Sequence, residues 1–282
     1  TFPPTQFYVM EFANCSTVII RGNGARIKNA SGGKYGSFNT NGTPMNVANG
    51  YVGVGASTPY YNMLYIHDCD RISIENLELD GNILNTTVGG PFSDTGIQIP
   101  MTGVSIADCA GPIRIENVYS HHHGLDGIQV NGAALDDTSY MEHAVVEGCR
   151  FEHNGRQGCS FVGGRGWTFR RCSFSHTGKD TNGVSSNPGA GIDFEAEGGK
   201  AVRDISVTEC EMVDNYGCGI VADSGTDLDR ISIEKSLIVG TTNYSLWLYR
   251  PGFQLDGCVI VGTMVHLWPG QGATINPNDP VY

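Results

Sequence analysis

Apolar and polar residues alternate through much of the chain in short runs that stop at Gly, Asn or Asp. One set of runs reads TGIQIP (95–100), DGIQVN (126–131), QGCSFV (157–162), AGIDFE (190–195), CGIVAD (218–223), YSLWLY (244–249) and MVHLWP (264–269). A second set interleaves with it: RISIENLEL (71–79), PIRIENVYS (112–120), HAVVEGCRF (143–151), GWTFRRCSF (166–174), DISVTECEM (204–212), DRISIEKSL (229–237) and FQLDGCVIV (253–261). Polar corners such as SHHHG, EHNGR, SHTGK and VDNYG separate the two sets. From Ile97 the apolar position of the first set continues through Ile128, Cys159, Ile192, Ile220, Leu246 and Val265, at spacings of 31, 31, 33, 28, 26 and 19.

Period-two alternation is the mark of half-buried strands, and the corners are turn chemistry. A repeat of this length holds one coil of strands and turns. No segment carries a clear helical period. The pattern predicts an all-β chain: a single-stranded, right-handed parallel β-helix of roughly 8–10 coils. It reads as one domain over 1–282, cut from a longer protein. Inserts at 39–62, 82–94 and 178–189 leave the coils and can project over one face.

Alternation also assigns the faces. With Ile192 and Phe194 inward, Asp193 and Glu195 point outward. The first outward column is then Gln98, Gln129, Ser160, Asp193, Val221, Trp247 and His266. The second is Pro100, Asn131, Val162, Glu195, Asp223, Tyr249 and Trp268. Three carboxylates, Asp193, Glu195 and Asp223, converge on neighbouring coils, and the aromatics Trp247, Tyr249 and Trp268 follow. Rings cover the apolar faces of sugars, while carboxylates bind hydroxyls or move protons. Strand geometry sets Asp193 and Glu195 about 6.7 Å apart, and it stacks Glu195 on Asp223 at about 4.8 Å. Asp193 to Asp223 is a diagonal of roughly 8 Å. A diagonal of that length suits hydrolysis with inversion, and a stacked pair suits retention. Crowded acids raise at least one pKa, as a general acid requires. The same trio can hold Ca²⁺, although nothing in the pattern requires a cofactor.

Composition narrows the class of partner. The chain is 40% hydrophobic and 16% charged, so it is not disordered. Its net charge is −12, from 29 acids against 17 bases, with no basic stripe, which speaks against nucleic acid. No apolar run is long enough for a membrane span, and the opening TFPPTQFYVM is no signal peptide. Nine cysteines recur beside strands without zinc or CxxC spacing. They read as free thiols, most of them filling one repeated interior slot. His121, His122 and His123 are consecutive, which is no zinc motif in itself. His122, His153 and His176 fall on one corner, with Asp214 next.

The phrases NVYSHHHGLDGIQVNG, NGRQGCSFVGG and FSHTG…GAGIDFEAE resemble the coils of alginate C5-epimerase catalytic modules. More broadly, the coils resemble the pectate-lyase-like superfamily, which includes phage tailspike depolymerases. The resemblance spans roughly 65–280. It implies a right-handed β-helix with a long polysaccharide groove in an extracellular, cell-surface or virion-associated protein, and tailspikes are homotrimers. The Asp-Pro-His-Glu strand of the epimerases is absent here, and Gln157 stands where their coils have a histidine. Three functions stay open. The first is a glycoside hydrolase acting through Asp193, Glu195 and Asp223. The second is a lyase or C5-epimerase using Arg and His side chains, with or without Ca²⁺. The third is a glycan-binding module without activity. In each, Asp126, Gln129, Arg156, Gln157, Ser160, Trp247, Tyr249, Arg250, His266 and Trp268 are the candidate substrate contacts.

Overall fold

The structure is a computed structural model, described here over residues 8–45, 54–56, 61–90, 98–132, 144–265 and 274–275. Nineteen strands join in one sheet, and every pairing within it is parallel. Each strand pairs with its equivalent one coil away. Ile128 lies beside Cys159, Cys159 beside Ile192, Ile192 beside Ile220, and Ile220 beside Leu246. All five are fully buried. Phe161 and Phe194 stack in the adjoining inward column, 6.0 Å between centroids. Burying one such side chain is worth about 1.5–3 kcal/mol, so a column of them holds the coils in register. The architecture is the expected parallel β-helix.

Register at the two ends departs from the sequence reading. The strand that precedes Asp126–Asn131 is Thr102–Ala107, which sets Val104 beside Ile128 and Ser105 beside Gln129. The TGIQIP segment was the wrong choice, because TGVSIA repeats the same Thr-Gly-apolar grammar a few residues later. Ile97 lies outside the described residues, while Gln98 and Pro100 precede the strand and are not part of the column. In the last coil Val265 pairs with Trp247 and Met264 with Leu246, after two irregularities between Val239 and Leu246. Ile231 lies beside Ile205, and Phe253 beside Ile231, so the runs starting at 229 and 253 are also offset from the simple alignment.

Left-handed residues make the corners. One column runs Asn76, Asn117, Gly148, Arg171, Glu209, Lys235 and Gly257, all with φ between 48° and 64°. A second runs His122, His153, His176 and Asp214, at 54–58°. The glycine that opens each first strand has a different cause. A Cβ at Gly158 would sit 2.7 Å from the Gly191 carbonyl, and one at Gly191 2.6 Å from the Phe174 carbonyl. The backbone packs too closely there for any side chain.

Seven of the nine cysteines fill two slots rather than one. Cys15, Cys69 and Cys109 follow the first strand, whereas Cys149, Cys172, Cys210 and Cys258 follow the second; none forms a disulfide. A fitting shape is only part of their role. The Cys172 amide donates to Cys210 Sγ at 3.4 Å, and the Cys210 amide donates to Ser236 Oγ at 3.1 Å. The thiols donate in turn to carbonyls, Cys210 to Thr208 at 3.3 Å. Each sulfur thus pairs backbone groups that the corner strips from the strand ladder.

Parts of the inserts fall among the described residues. Gly33–Phe38 pairs in parallel with Thr86–Gly89 and antiparallel with Val54–Ala56, forming a small separate sheet. Asn182, in the 178–189 insert, donates to the Thr86 carbonyl at 3.0 Å. Those two inserts therefore meet.

The thiol ladder generates one prediction. Cys210→Ser should cost less than about 1 kcal/mol in urea unfolding, since serine keeps both bonds. Cys210→Ala, which orphans the Cys172 amide, should cost about 1–3 kcal/mol more. Equal costs would reduce the sulfur to a space filler.

Candidate active site

Ser160, Asp193 and Val221 are register neighbours on the outer side of the first-strand sheet, and Trp247 follows Val221. Asp193 is directed away from the core, as alternation requires, yet it is only 1% exposed. The outward direction holds, and the carboxyl is nonetheless buried. Its surroundings come from the residues that open each strand. Asp126 and Gln157 are register partners, both fully buried. The Gln157 amide Nε2 donates to Asp193 Oδ2. Arg156 clamps Asp126 with two bonds, Nε to Oδ1 at 2.9 Å and Nη2 to Oδ2 at 2.7 Å. The sequence reading took Asp126 and Gln157 as substrate contacts; both are buried, Asp126 bonded to Arg156 and Gln157 to Asp193. The signal for their role was their position, one step before the conserved-in-repeat glycine where the chain turns onto the strand.

Three buried polar atoms in this cluster have no hydrogen-bond partner: Asp193 Oδ1, Gln157 Oε1 and Ser160 Oγ. Buried polar atoms are ordinarily paired, and unpaired ones mark a site built for something else. Burial drives the Asp193 pKa well above the carboxylate range, and the charge of Glu195 adds to the effect. Arg156 opposes it without prevailing. Glu195 is raised as well, mainly by burial. Its neighbour in the next coil is Ser224, whose hydroxyl donates to Glu195 Oε1 at 3.3 Å. The bridge between Ala196 and Gly225 shows the register shift that makes this so. Glu195 and Asp223 are therefore not the directly stacked pair that simple strand geometry gave. Asp223 is exposed, and it acts on Asp193 through its charge.

The aromatic end of the column is present. Tyr244 and Trp247 meet edge to face at 4.9 Å, and Trp247 and Tyr249 lie 5.7 Å apart. Ala190, Cys218 and Val221 form the apolar floor beside Tyr244 and Trp247. Trp247 Nε1 is buried and unpaired. Arg250 donates to the Asp223 carbonyl at 2.8 Å. Gln129 is half-buried and accepts from Ser105 at 3.5 Å. His266 and Trp268 lie outside the described residues.

The histidines occupy a different place. His122 and His153 stack at 5.0 Å, and His153 and His176 at 4.9 Å, along the corner. Next to them runs a buried ladder in which Asn154 accepts from the His123 amide and Asn215 from the Thr177 amide. Burial lowers the His122 pKa to about 4 and that of His123 to about 3, so both are neutral in ordinary buffers. The stack fits a corner support better than a row of bases.

The cluster brings together a buried carboxyl of raised pKa, a second half-buried acid, the exposed Asp223 and a wall of rings. The description "right handed beta helix region" matches residues 62–260, well over half of the sequence, and the chain belongs to that family. No curated protein and no solved structure matches the chain. No helix among the described residues is long and apolar enough to cross a membrane.

Asp193 makes stability depend on pH. In the folded chain it keeps its proton above the ordinary value of 3.8. Its contribution is therefore full below pH 3.8 and falls as the pH rises through the folded pKa. Asp193→Asn copies the protonated acid without the titration. The variant should gain about 2–4 °C in melting temperature at alkaline pH, roughly 1 kcal/mol, and little in acid. A melting temperature lowered at every pH would show that the carboxylate is a structural ion.

Proposed function

We propose that the protein is a glycoside hydrolase, cleaving a polysaccharide laid across the coils beside Asp193. What carries the reading is the state of Asp193: a buried, protonated carboxyl, with one oxygen held by Gln157 and the other unpaired. A general acid for glycosidic cleavage needs a proton held at neutral pH and an oxygen free to give it away. Asp223, exposed and one coil further on, is the base that activates water. Separation across a diagonal leaves room for that water, as inversion demands. Glu195 keeps negative charge near Asp193 and so helps it hold its proton. Trp247 and Tyr249 form the sugar platform. The overall excess of acids, with Arg156 bonded to Asp126 and Arg250 to the Asp223 carbonyl, favours a neutral glycan over a polyuronate.

Elimination or epimerisation is the weaker reading. It needs a cation to neutralise a uronate and a base at C5. Arg156 already spends a bidentate bond on Asp126, and the corner histidines stack on one another.

Product analysis on a panel of neutral and acidic polysaccharides tests the proposal. New reducing ends without unsaturated sugars are expected, with inverted anomers by NMR. Asp193→Asn and Asp223→Asn should each lower kcat by about 10²-fold or more. Trp247→Ala should raise KM and spare kcat, because stacking acts on ground and transition states alike. Unsaturated products would transfer the reading to a lyase. Binding without turnover on any glycan would leave a recognition module.

A further inference from the structure

Away from this cluster, at the corner where the Arg71–Asp80 strand and the Ile113–His121 strand end, three ligand-type side chains converge. Asp80 and His121 are register partners on successive coils, and His122 follows at the left-handed turn. One ligand atom from each lies within 4.8 Å of the other two. Asp80 and His121 are buried and His122 is half-buried. The two imidazoles face each other through Nδ1, at 2.6 Å.

The second nitrogen of His121 settles how this pair is arranged. His121 Nε2 lies 3.1 Å from Glu78 Oε1. A carboxylate accepts, so the proton belongs on Nε2, and Nδ1 is left with a bare lone pair aimed at His122. That is the tautomer and orientation which a carboxylate imposes on a metal-ligating histidine. Asp80 completes the set. Arg26 and Lys28 both reach its Oδ2. Its Oδ1 accepts the Asn82 amide at 2.8 Å, which fixes the group in place.

We propose that Asp80, His121 and His122 form a binding site for one divalent transition metal ion of the zinc or nickel type, which clamps two successive coils at their corner. Two imidazoles and one carboxylate suit such ions, which favour nitrogen donors. Calcium calls for six or more oxygens, and the two carboxylates here are already offset by Arg26 and Lys28. Binding needs only that the two rings open slightly and that the His122 proton shift from Nδ1 to Nε2, which bares Nδ1 for the ion. Water can complete the shell, because His122 is half-buried. The ion would then join neighbouring coils where the Ile83–Asn85 turn leaves the sheet.

Equilibrium dialysis of the whole chain against zinc sulfate, followed by metal analysis, tests the site. About one zinc per chain is expected, with no comparable uptake of calcium or magnesium at the same concentration. Zinc should also raise the melting temperature, since binding to the folded state alone stabilises it. His122→Asn keeps a residue that tolerates positive φ, and His121→Gln keeps the bond to Glu78. Each should weaken zinc binding by roughly tenfold or more. His153→Asn removes the ring stacked on His122 but no ligand, so its zinc affinity should equal that of the wild type. Failure of the wild-type chain to bind zinc overturns the proposal, whatever the variants do. So does zinc uptake that His121→Gln and His122→Asn leave unchanged. Loss in His153→Asn as large as in His122→Asn would place the ion in the histidine stack and overturn it too.

Discussion

Parallel pairing in register obliges each residue to sit beside its equivalent one coil away, about 4.8 Å distant. Everything else in the molecule follows from that requirement. A side chain that fits in one coil must fit beside its copies, so the inward columns are made of Ile, Leu, Phe and Cys. A corner that works once must work repeatedly, which is why positive φ recurs at seven stacked positions after the second strand. A slip of one residue would turn the apolar column outward. The stack therefore resists change within and leaves the outer columns free to vary.

Corners are where this arrangement is most demanding, because strand hydrogen bonds stop there while the chain stays buried. The protein answers with side chains that act as backbone partners. Asn154 and Asn215 accept amides at one corner, and thiols or the Ser236 hydroxyl accept them at another. The matching is incomplete at Thr177, whose Oγ1 is buried without a partner, and beside Asp193, where Gln157, Ser160 and Asp193 each keep such an atom.

Charge is distributed with the same contrast. On the second-strand face and at its corners, acids meet bases: Arg203 pairs with Asp227, Arg165 and Arg230 with Asp204, and Arg26 and Lys28 with Asp80. Around Asp193 four acids, Asp126, Asp193, Glu195 and Asp223, gather near Arg156, and Asp126 takes its two bonds. The imbalance stabilises a proton on Asp193 rather than an ion pair.

How much was legible in the sequence depended on whether a feature repeats. The coils, the inward column from Ile128 to Leu246, the outward direction of Asp193 and the histidine corner all repeat, and period-two alternation exposed them. The first and last coils were misread, since TGIQIP and TGVSIA carry the same grammar and only the sheet chooses between them. The second thiol slot was hidden because each cysteine follows a similar turn. Other features arise from distances between columns, on which alternation is silent. The burial of Asp193, its bond to Gln157, the capture of Arg156 by Asp126 and the meeting of Asp80 with two histidines belong to this group. The sequence alone determined which residues stack, because stacking is a rule of period. Only the tertiary structure decided which residues from different columns meet and what water they exclude, because that depends on how the chain turns at its corners.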